Sequence, residues 1–395
     1  WQDVKNIYHL GIAILANIFY DFPSRKLRVI GVTGTDGKTT TTSLIYHILN
    51  SAGLKTSMVT SIGAVISGKK YDIGFHVTTP SSFAIQKFFK KALDTGSKFL
   101  VLETTSHALD QYRVFGIEFE IGVLTNVTHE HLDYHKTYQN YLKIKAELLK
   151  MSKKAIVNRD DESFHQISNF KFLISKLVTY GIKKNADINP ENFKFRTDLI
   201  GEFNKYNILA AIAACKQLGI SDNDIKTGIE SFVPPLGREE VVYKKDFTVM
   251  IDFAHTPNAF EQILSAIKPS IKGRLIHVFG SAGQRDASKR PLMGKASSKY
   301  SDIIILTSED PRSESVEKIC EEIESGIKNH ESRTILKVYD RKKAIEAAIG
   351  IAEKGDFVIM TGKSHEKSMN YGHGEIPWDE YEVVRCAISD KRKAI

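Results

Sequence analysis

Apolar and polar positions alternate along this chain in blocks that predict strands and helices in turn. A helical pattern covers residues 4–18 and is followed by a turn at 22–24. Beyond it, apolar runs typical of buried strands lie at 27–32, 99–103, 121–125 and 154–158, and helical patterns lie at 40–51, 82–95, 138–150 and 205–218. This alternation favours an α/β fold, with a mostly parallel sheet covered by helices on both faces.

The alternation breaks at residues 233–237, where two prolines precede a glycine, a composition typical of a linker. A second α/β block follows, with strands predicted at 248–252, 274–279, 303–307 and 357–361 and helices predicted to begin at Asn258, Pro291 and Val316. We therefore predict a central domain over 27–234 and a C-terminal, Rossmann-like α/β domain over 235–395. Residues 1–26 are too few to form a domain of their own.

Composition narrows the function classes only a little. Of the 395 residues, 42% are hydrophobic and 26% are charged, as in ordinary globular proteins. The net charge is +8, but no basic run is interleaved with aromatic residues, so we predict no nucleic-acid partner. No apolar run approaches the roughly 18 residues of a membrane span, and the three cysteines show no metal-binding spacing. We expect a cytoplasmic monomer with reduced thiols and no membrane insertion.

The run 31–40, Gly-Val-Thr-Gly-Thr-Asp-Gly-Lys-Thr-Thr, lies between a predicted strand and a predicted helix. Gly34 and Gly37 allow the backbone N–H groups to approach a polyphosphate closely. Lys38 would reach the terminal phosphates, and the Thr39 hydroxyl would bind Mg²⁺. Val32 stands where the general pattern has glycine, yet the strand–turn–helix context is correct. We predict a P-loop ATPase domain.

Polar residues at two further strand ends suit the same chemistry. Glu103 ends a predicted strand and is a candidate second ligand of Mg²⁺, with a carboxylate that caps a helix as the less favoured alternative. The segment 125–135 carries three histidines and two acids without the spacing of a zinc site, so one imidazole serving Mg²⁺ fits better. By periodicity alone, Lys145 would be an ordinary lysine on a solvated helix face.

In the second block, clusters of charged residues follow each predicted strand, at 252–257, 280–291, 308–312 and 362–366. In open α/β sheets, ligands bind beyond the carboxyl ends of the strands. The arginines in these clusters can pair with a carboxylate or a phosphate through two parallel hydrogen bonds. So many polar clusters at strand ends predict a ligand site rather than a set of solvated loops.

Taken together, the motifs resemble those of the Mur ligases, the ATP-dependent enzymes that build the peptide of bacterial peptidoglycan, and most closely their UDP-N-acetylmuramoyl-tripeptide synthetase branch. Residues 33–40 resemble the ATP loop, and 103–113 resemble Glu-x-x-Ser-His-x-Leu-x-Gln-x-Arg. Residues 125–135 resemble Thr-Asn-x-x-x-Asp-His-Leu-Asp-Tyr-His, and 201–207 resemble Gly-x-Phe-Asn-x-x-Asn. Segments 289–294 and 362–366 complete the set, so that the resemblance extends over about residues 16–388.

The resemblance implies a role for each matching position. Catalytic positions are Lys38, Glu103, His131 and Lys145. Mg²⁺ ligands are Thr39, Glu103, His131 and Lys145, the last after carbamylation by CO₂, which turns an ammonium into an oxygen ligand. ATP-binding positions are Gly34, Thr35, Gly37, Lys38, Thr39, Thr40, Asn126, Asn207, Arg238 and Asp252. Substrate-binding positions are Thr78, Thr79, Ser106, Gln111 and Arg113 for the muramoyl-dipeptide, with His255, and Arg290, Asp310, Arg312, Gly362 and Glu366 for the amino acid.

The implied activity is ATP-dependent addition of a third amino acid to UDP-MurNAc-L-Ala-D-Glu, with Mg²⁺. Members that add meso-diaminopimelate carry Asp-Asn-Pro-Arg where this chain has Glu309-Asp310-Pro311-Arg312. Arg312 would pair with the distal carboxylate of diaminopimelate, a group that lysine lacks, and Asp310 could meet its distal ammonium. Residues 1–26 would be the remnant of an N-terminal domain and its linker.

Two other interpretations stay open. One is a folylpolyglutamate synthetase or another amide ligase of the same architecture, which would suit a chain without a UDP-binding domain. The other is a non-catalytic ATP-binding homologue. Lys38, Glu103 and Lys145 are all present, which favours catalysis.

Overall fold

A computed structural model describes residues 2–74, 77–128, 130–171, 177–183, 185–328 and 333–393. Within these ranges the predicted helices and strands are confirmed, with ends shifted by at most about three residues. The helices are α1 Gln2–Phe19, α2 Lys38–Ser51, α3 Ser82–Asp94, α4 Ser106–Asp110, α5 Leu132–His135, α6 Tyr138–Met151, α7 Phe164–Ile167, α8 Glu202–Gln217, α9 Asp222–Glu230, α10 Pro257–Ile267, α11 Lys289–Ser298, α12 Val316–Glu324, α13 Arg341–Ile351 and α14 Glu380–Lys393.

The strands form two large sheets and one short hairpin. They are β1 Arg28–Thr33, β2 Thr56–Thr60, β3 Gly63–Ile66, β4 Lys69–Tyr71, β5 Phe99–Glu103, β6 Phe119–Leu124, β7 Ser152–Asn158, β8 Leu177–Tyr180, β9 Glu240–Lys244, β10 Thr248–Asp252, β11 Leu275–Phe279, β12 Ile303–Leu306, β13 Thr334–Lys337, β14 Phe357–Thr361, β15 Ser368–Asn370 and β16 Glu375–Pro377. The first sheet has the order β4-β3-β2-β5-β1-β6-β7-β8, and the second has the order β13-β12-β11-β14-β10-β9.

Both large sheets are mostly parallel, as the alternating pattern predicts. Antiparallel pairing occurs only near the edges of these sheets as described, in β2–β3–β4 of the first and between β9 and β10 of the second. By its contacts the chain divides into two compact units. The first contains residues 1–128, 135–199 and 203–235, and the second contains residues 129–134, 200–202 and 236–395.

Helix α2 shows packing overriding local preference. It begins with Lys38 and four threonines, which are poor helix formers because their branched side chains lose freedom in a helix. These threonines are nevertheless buried, and Leu44, Ile45, Ile48 and Leu49 of the same helix join the core of the first unit. Tertiary burial therefore holds the helix that follows the phosphate loop.

Among the described residues, no helix has both the length and the hydropathy required to cross a membrane.

The core of the second unit contains a histidine that is held neutral. His277 of β11 is fully buried, with Nδ1 2.9 Å from Ser297 Oγ and Nε2 3.0 Å from Thr361 Oγ1. Burial, aided by the charge of Arg341, lowers the pKa of His277 to about 3. Its ordinary pKa is about 6.5, so below that pH the unfolded chain takes up a proton that the folded chain does not bind. Acid therefore favours unfolding through this residue.

We expect the free energy of unfolding to fall by about 2 kcal/mol between pH 7 and pH 5 on account of His277 alone. The matched comparison is His277→Gln, whose amide does not titrate. Urea unfolding of both proteins at the two pH values should show a steeper loss for the parent chain. Equal losses in the two proteins would contradict the assignment.

Candidate active site

The phosphate loop lies between the end of β1 and the start of α2, and side chains from other elements shape it. A Cβ added to Gly34 would lie 1.8 Å from Thr125 Oγ1, and one added to Gly37, at φ +79°, would lie 2.2 Å from Asn207 Oδ1. The N–H of Asp36 donates to Asn126 Oδ1 at 2.9 Å, and Asn126 Nδ2 donates back to the Asp36 carbonyl at 3.1 Å. The loop conformation is therefore specified from outside, and only glycine fits at its two approach points.

Two ammonium groups hold consecutive carbonyls of this loop. Lys38 Nζ donates to the Thr35 carbonyl at 2.7 Å, and Lys145 Nζ donates to the Gly34 carbonyl at 2.6 Å. Lys145 also lies over the ring of Tyr141, 4.5 Å from its centroid. The solvated-face interpretation of Lys145 is thus wrong: its residue exposure is 1%, and α6 turns it inwards with Leu142.

Oxygen donors gather beside the loop. Thr39 Oγ1 donates to the Glu103 carboxylate, with distances of 3.0 and 3.2 Å to its two oxygens, and lies 3.1 Å from Ser61 Oγ. The Ser61 N–H donates to Glu103 Oε2 at 3.0 Å. Thr40 follows, buried, in the first turn of α2. Hydroxyl and carboxylate oxygens are the ligands that Mg²⁺ prefers, so this donor set fits the predicted metal.

No group of three or more His, Cys, Asp or Glu side chains within the described ranges converges on a metal position. His131 belongs to a segment of the second unit, where its Nδ1 lies 3.9 Å from Glu130 Oε1. His131 therefore stays a predicted ligand on the strength of the resemblance alone.

The positions predicted for the muramoyl-dipeptide come together at the end of β5. Thr79 Oγ1 donates to the Glu103 carbonyl at 3.0 Å, and Arg113 Nη1 donates to the Thr79 carbonyl at 2.8 Å. Arg113 also donates to Gln111 Oε1 from Nε at 3.0 Å and from Nη2 at 2.6 Å. Ser106 begins α4, next to this group, and Thr78 precedes Thr79, half-buried.

In the second unit, Asp252, Arg238 and His255 lie around the end of β10. Asp252 accepts the N–H groups of Glu239 and Ala254 at 2.8 and 2.6 Å. Burial raises the pKa of Asp252, and the charge of Arg238 opposes that shift. The Arg238 guanidinium lies 4.5 Å from the centroid of the Phe253 ring, and His255 Nδ1 lies 2.8 Å from the Phe253 carbonyl. The planar guanidinium and the carboxylate thus have fixed positions.

Asp310 is paired within the protein. Lys363 Nζ, which is fully buried, donates to both Asp310 oxygens at 3.0 Å and to Glu366 Oε2 at 2.7 Å. The N–H of Asn370 donates to Asp310 Oδ1 at 2.9 Å. The lysine therefore compensates the negative charge of Asp310, which leaves less of it to attract a ligand ammonium.

The sequence analysis assigned no role to Glu309, which has fewer hydrogen-bond partners than Asp310 among the described residues. Its residue exposure is 9%, and its Oε2 atom has no hydrogen-bond partner among the described residues. Burial raises the pKa of Glu309 to about 8, against the charges of Arg341 and Lys289. The carboxylate packs on Gly362, where an added Cβ would lie 2.3 Å from Glu309 Oε2. Nothing in the spacing of the sequence distinguishes this carboxylate from its neighbour, because the difference arises from burial.

Two arginines differ in what they offer a ligand. Arg290 is 1% exposed, and its Nη1 donates to Glu314 Oε2 at 2.9 Å and to Glu322 Oε2 at 2.6 Å. Burial alone would lower the pKa of Arg290, but these two carboxylates raise it. By contrast, burial lowers the pKa of Arg312, and the nearby charge of Arg285 lowers it further. Arg312 Nη1 donates to the Gly283 carbonyl. Arg312 thus lies near a second arginine, the exposed Arg285, and near the carboxylates of Asp310, Glu375 and Glu366, whereas Arg290 is directly hydrogen-bonded to two carboxylates.

Comparison with known proteins identifies the family of the chain. The profile of the Mur ligase middle domain matches residues 32–215, and that of the Mur ligase, glutamate ligase domain, matches residues 237–364. The UDP-N-acetylmuramoyl-L-alanyl-D-glutamate–2,6-diaminopimelate ligase 1 of Clostridium acetobutylicum is 40% identical over 96% of this chain and 82% of its own length. The UDP-N-acetylmuramoyl-L-alanyl-D-glutamate–2,6-diaminopimelate ligase of Aquifex aeolicus is 42% identical over 94% of this chain and 79% of its own length. A solved structure of such a ligase, 29% identical, superposes over 99% of this chain and 83% of its own with a TM-score of 0.63.

Proposed function

The chain belongs to the Mur ligase family, and from that premise we propose that it is an ATP-dependent ligase that joins meso-2,6-diaminopimelate to UDP-MurNAc-L-Ala-D-Glu. The observation that carries the proposal is the grouping of Lys38, Thr39 and Glu103 beside the phosphate loop, in a chain that matches ligases of this name over 96% of its length. We further propose that it acts in the cytoplasm, as a step of peptidoglycan precursor synthesis.

In the first half-reaction, the terminal carboxylate of the dipeptide attacks the γ-phosphorus of ATP, forming an acyl phosphate and releasing ADP. Lys38 would exchange its hydrogen bond to Thr35 for the β- and γ-phosphate oxygens. The loop N–H groups and the start of α2 would hold the phosphate chain. Thr39, Glu103 and Lys145 in carbamylated form would hold Mg²⁺, which would supply neutralisation of the charge on the phosphates.

In the second half-reaction, an amine of the amino acid attacks the acyl carbon, and phosphate leaves as the amide forms. Arg113, whose guanidinium is fixed by Thr79 and Gln111, would hold the dipeptide in place. The work of these residues is positioning and charge neutralisation, since phosphoryl activation itself makes the amide accessible in water.

The acceptor pocket supports a diamino dicarboxylic acid. Arg312 and Arg285 together offer positive charge to a distal carboxylate. Glu309 supplies a buried carboxyl group whose raised pKa leaves it mostly protonated at neutral pH, and whose Oε2 atom has no hydrogen-bond partner among the described residues. That oxygen would accept a hydrogen bond from a ligand ammonium, which would also favour the ionised form. Lysine has the second ammonium but lacks the second carboxylate, so the arginines are the basis of discrimination between the two acceptors.

The proposal is tested by phosphate release from ATP and Mg²⁺ with UDP-MurNAc-L-Ala-D-Glu, and with meso-diaminopimelate, lysine or no amino acid added. Product mass identifies the peptide. Release that requires diaminopimelate and yields the tripeptide supports the proposal. A second mixture contains a folate and glutamate in place of these substrates, and phosphate release only in that mixture would assign the folylpolyglutamate activity instead. Binding of ATP without phosphate release in any mixture would indicate a non-catalytic homologue.

We expect Arg312→Met to raise the KM for diaminopimelate roughly 10- to 100-fold, because a charge-assisted hydrogen bond contributes about 1.5–3 kcal/mol. Any turnover with lysine serves as the internal control and should change by less than about twofold. A variant that loses both acceptors equally, or neither, would contradict the role given to Arg312.

A further inference from the structure

Two buried aromatic side chains connect the dipeptide side of the first unit with its phosphate loop. His135 Nε2 lies 2.9 Å from Ser106 Oγ, and the His135 ring lies 5.1 Å from that of Tyr141, tilted by 33°. The Tyr141 hydroxyl lies 3.3 Å from Thr35 Oγ1. We call these four residues, Ser106, His135, Tyr141 and Thr35, the Ser106–Thr35 chain. The mechanism above assigns no step to His135 or Tyr141.

The loop end of the Ser106–Thr35 chain is fastened at two further points. Thr35 Oγ1 accepts the N–H of Thr128 at 3.0 Å, which ties the hydroxyl to the segment after β6. Tyr141 lies beneath the Lys145 ammonium, which in turn donates to the Gly34 carbonyl. The Tyr141 ring therefore contacts the loop through its hydroxyl and, while Lys145 is an ammonium, through the lysine over its face. The hydroxyl contact does not require that charge, which carbamylation of Lys145 would remove.

We propose that His135 and Tyr141 are positioning residues that set the Ser106 hydroxyl and the phosphate loop at a fixed separation. The inference rests on the proposed function, in which Ser106 contacts the dipeptide and the loop holds ATP. The fixed separation would hold the dipeptide carboxylate and the γ-phosphoryl group of ATP already aligned for attack. A misplacement of about 1 Å in such an arrangement can cost about 100-fold in rate.

Burial gives the Ser106–Thr35 chain its rigidity. All four side chains are buried, and hydrogen bonds in a low-dielectric interior are stronger than in water. Hydrogen bonds join the two ends, His135 to Ser106 and Tyr141 to Thr35, and ring packing joins the two aromatic residues in the middle. The effect of a change at His135 should therefore reach substrate through Ser106, and that of a change at the Tyr141 hydroxyl should reach nucleotide through Thr35.

A double-mutant cycle tests the substrate end. His135→Phe keeps a ring against Tyr141 but cannot hydrogen-bond Ser106, and we expect kcat/KM for UDP-MurNAc-L-Ala-D-Glu to fall about 100-fold, with ADP affinity changed by less than about twofold. Ser106→Ala added to His135→Phe should cause little further loss. His135→Gln, whose amide can still reach the hydroxyl, should recover most of the activity. Independent, multiplying losses from the two substitutions would overturn the proposal.

Tyr141→Phe tests the loop end. It should weaken ADP binding about tenfold, from the loss of one hydrogen bond, measured by calorimetry, while leaving the KM for the dipeptide unchanged. Tyr138→Phe is the matched control, because Tyr138 lies on the same helix and donates to the Val127 carbonyl at 3.2 Å outside the Ser106–Thr35 chain. Equal effects of the two substitutions would overturn the proposal.

The calorimetric readout needs no turnover. A parent protein that binds ADP but fails the ligase assay would therefore reject the proposed function separately, while Tyr141→Phe and Tyr138→Phe still report on the loop end. If His135→Phe fails to fold, the comparison of His135→Gln with Ser106→Ala takes its place. A loss of kcat/KM in His135→Gln as large as that in Ser106→Ala would then overturn the assignment, because the amide preserves the hydrogen bond to the hydroxyl.

Discussion

Lys38→Met is expected to lower kcat for phosphate release by about 10²- to 10³-fold, the usual cost of removing one preorganised charge or donor from a transferring group. Lys38 is the first residue of α2, and its ammonium donates to the Thr35 carbonyl of the phosphate loop. The positive charge is therefore already positioned at the loop when nucleotide binds. Methionine retains most of the length of the side chain and removes its charge. Initial rates at saturating ATP, with ADP affinity by calorimetry, separate loss of rate from loss of binding.

The control for Lys38 is Lys26→Met, which removes an exposed ion pair with Asp21 in the same unit. It should leave kcat within about twofold, since exposed pairs contribute little. Thermal unfolding should be near the parent value for both variants. A kcat for Lys38→Met within about threefold of the parent would remove Lys38 from the transfer step.

The largest expected effect on stability lies at Arg341. Its guanidinium and the Glu380 carboxylate are both fully buried, with Nε to Oε2 at 2.9 Å and Nη2 to Oε1 at 2.5 Å. Arg341 Nη2 also donates to the Thr361 carbonyl at 2.9 Å, and Trp378 Nε1 donates to Glu380 Oε2 at 2.9 Å. Arg341→Met leaves a buried carboxylate without its cation, so we expect a loss of about 3–5 kcal/mol in the free energy of unfolding.

Two comparisons identify the cause. Arg341→Met combined with Glu380→Gln removes both charges and should recover part of the loss, because the uncompensated charge is the main cost. Arg385→Met breaks a pair with Glu382 on the same helix, α14, where the arginine side chain is 70% exposed, and should cost no more than about 1 kcal/mol. Urea unfolding measures all three. Equal losses for Arg341→Met and Arg385→Met would contradict the argument.

Local patterns predicted the parts of the molecule that depend on local rules. The phosphate loop was predictable because its glycines, Lys38 and the flanking strand and helix are contiguous in sequence. The burial of Lys145 was not predictable from periodicity, because α6 buries a face that includes this lysine and the partner carbonyl at Gly34 is 111 residues away. Only the resemblance to a family pointed to it.

The acceptor side shows the same limit. Sequence identified Asp310 as a possible charge for a ligand, but could not show that Lys363 already pairs with it. It could not distinguish Arg290, held by Glu314 and Glu322, from Arg312 with its neighbouring arginine. Side-chain pairing across strand ends depends on tertiary placement, and no spacing rule encodes it.

The short strand β3 and the edge strand β4 do not stand out in the pattern for a related reason. β4 has only three residues, two of them exposed lysines, and a strand this short carries no readable alternation. Lysines on an edge strand disfavour pairing with the strand of a second chain. A hydrophobic pattern does not reveal this effect, because it depends on charge at the edge of the sheet.

The lysine contacts of the phosphate loop also bear on the design of inhibitors. The carbonyls of Gly34 and Thr35 already accept hydrogen bonds from Lys145 and Lys38, so the loop presents mainly donors to an incoming molecule. Fragments whose head group is a carboxylate, sulfonate or tetrazolate match that surface, whereas an amine-bearing fragment meets the Lys38 ammonium, a group of its own sign. Screening libraries for this loop should accordingly be rich in acidic heads.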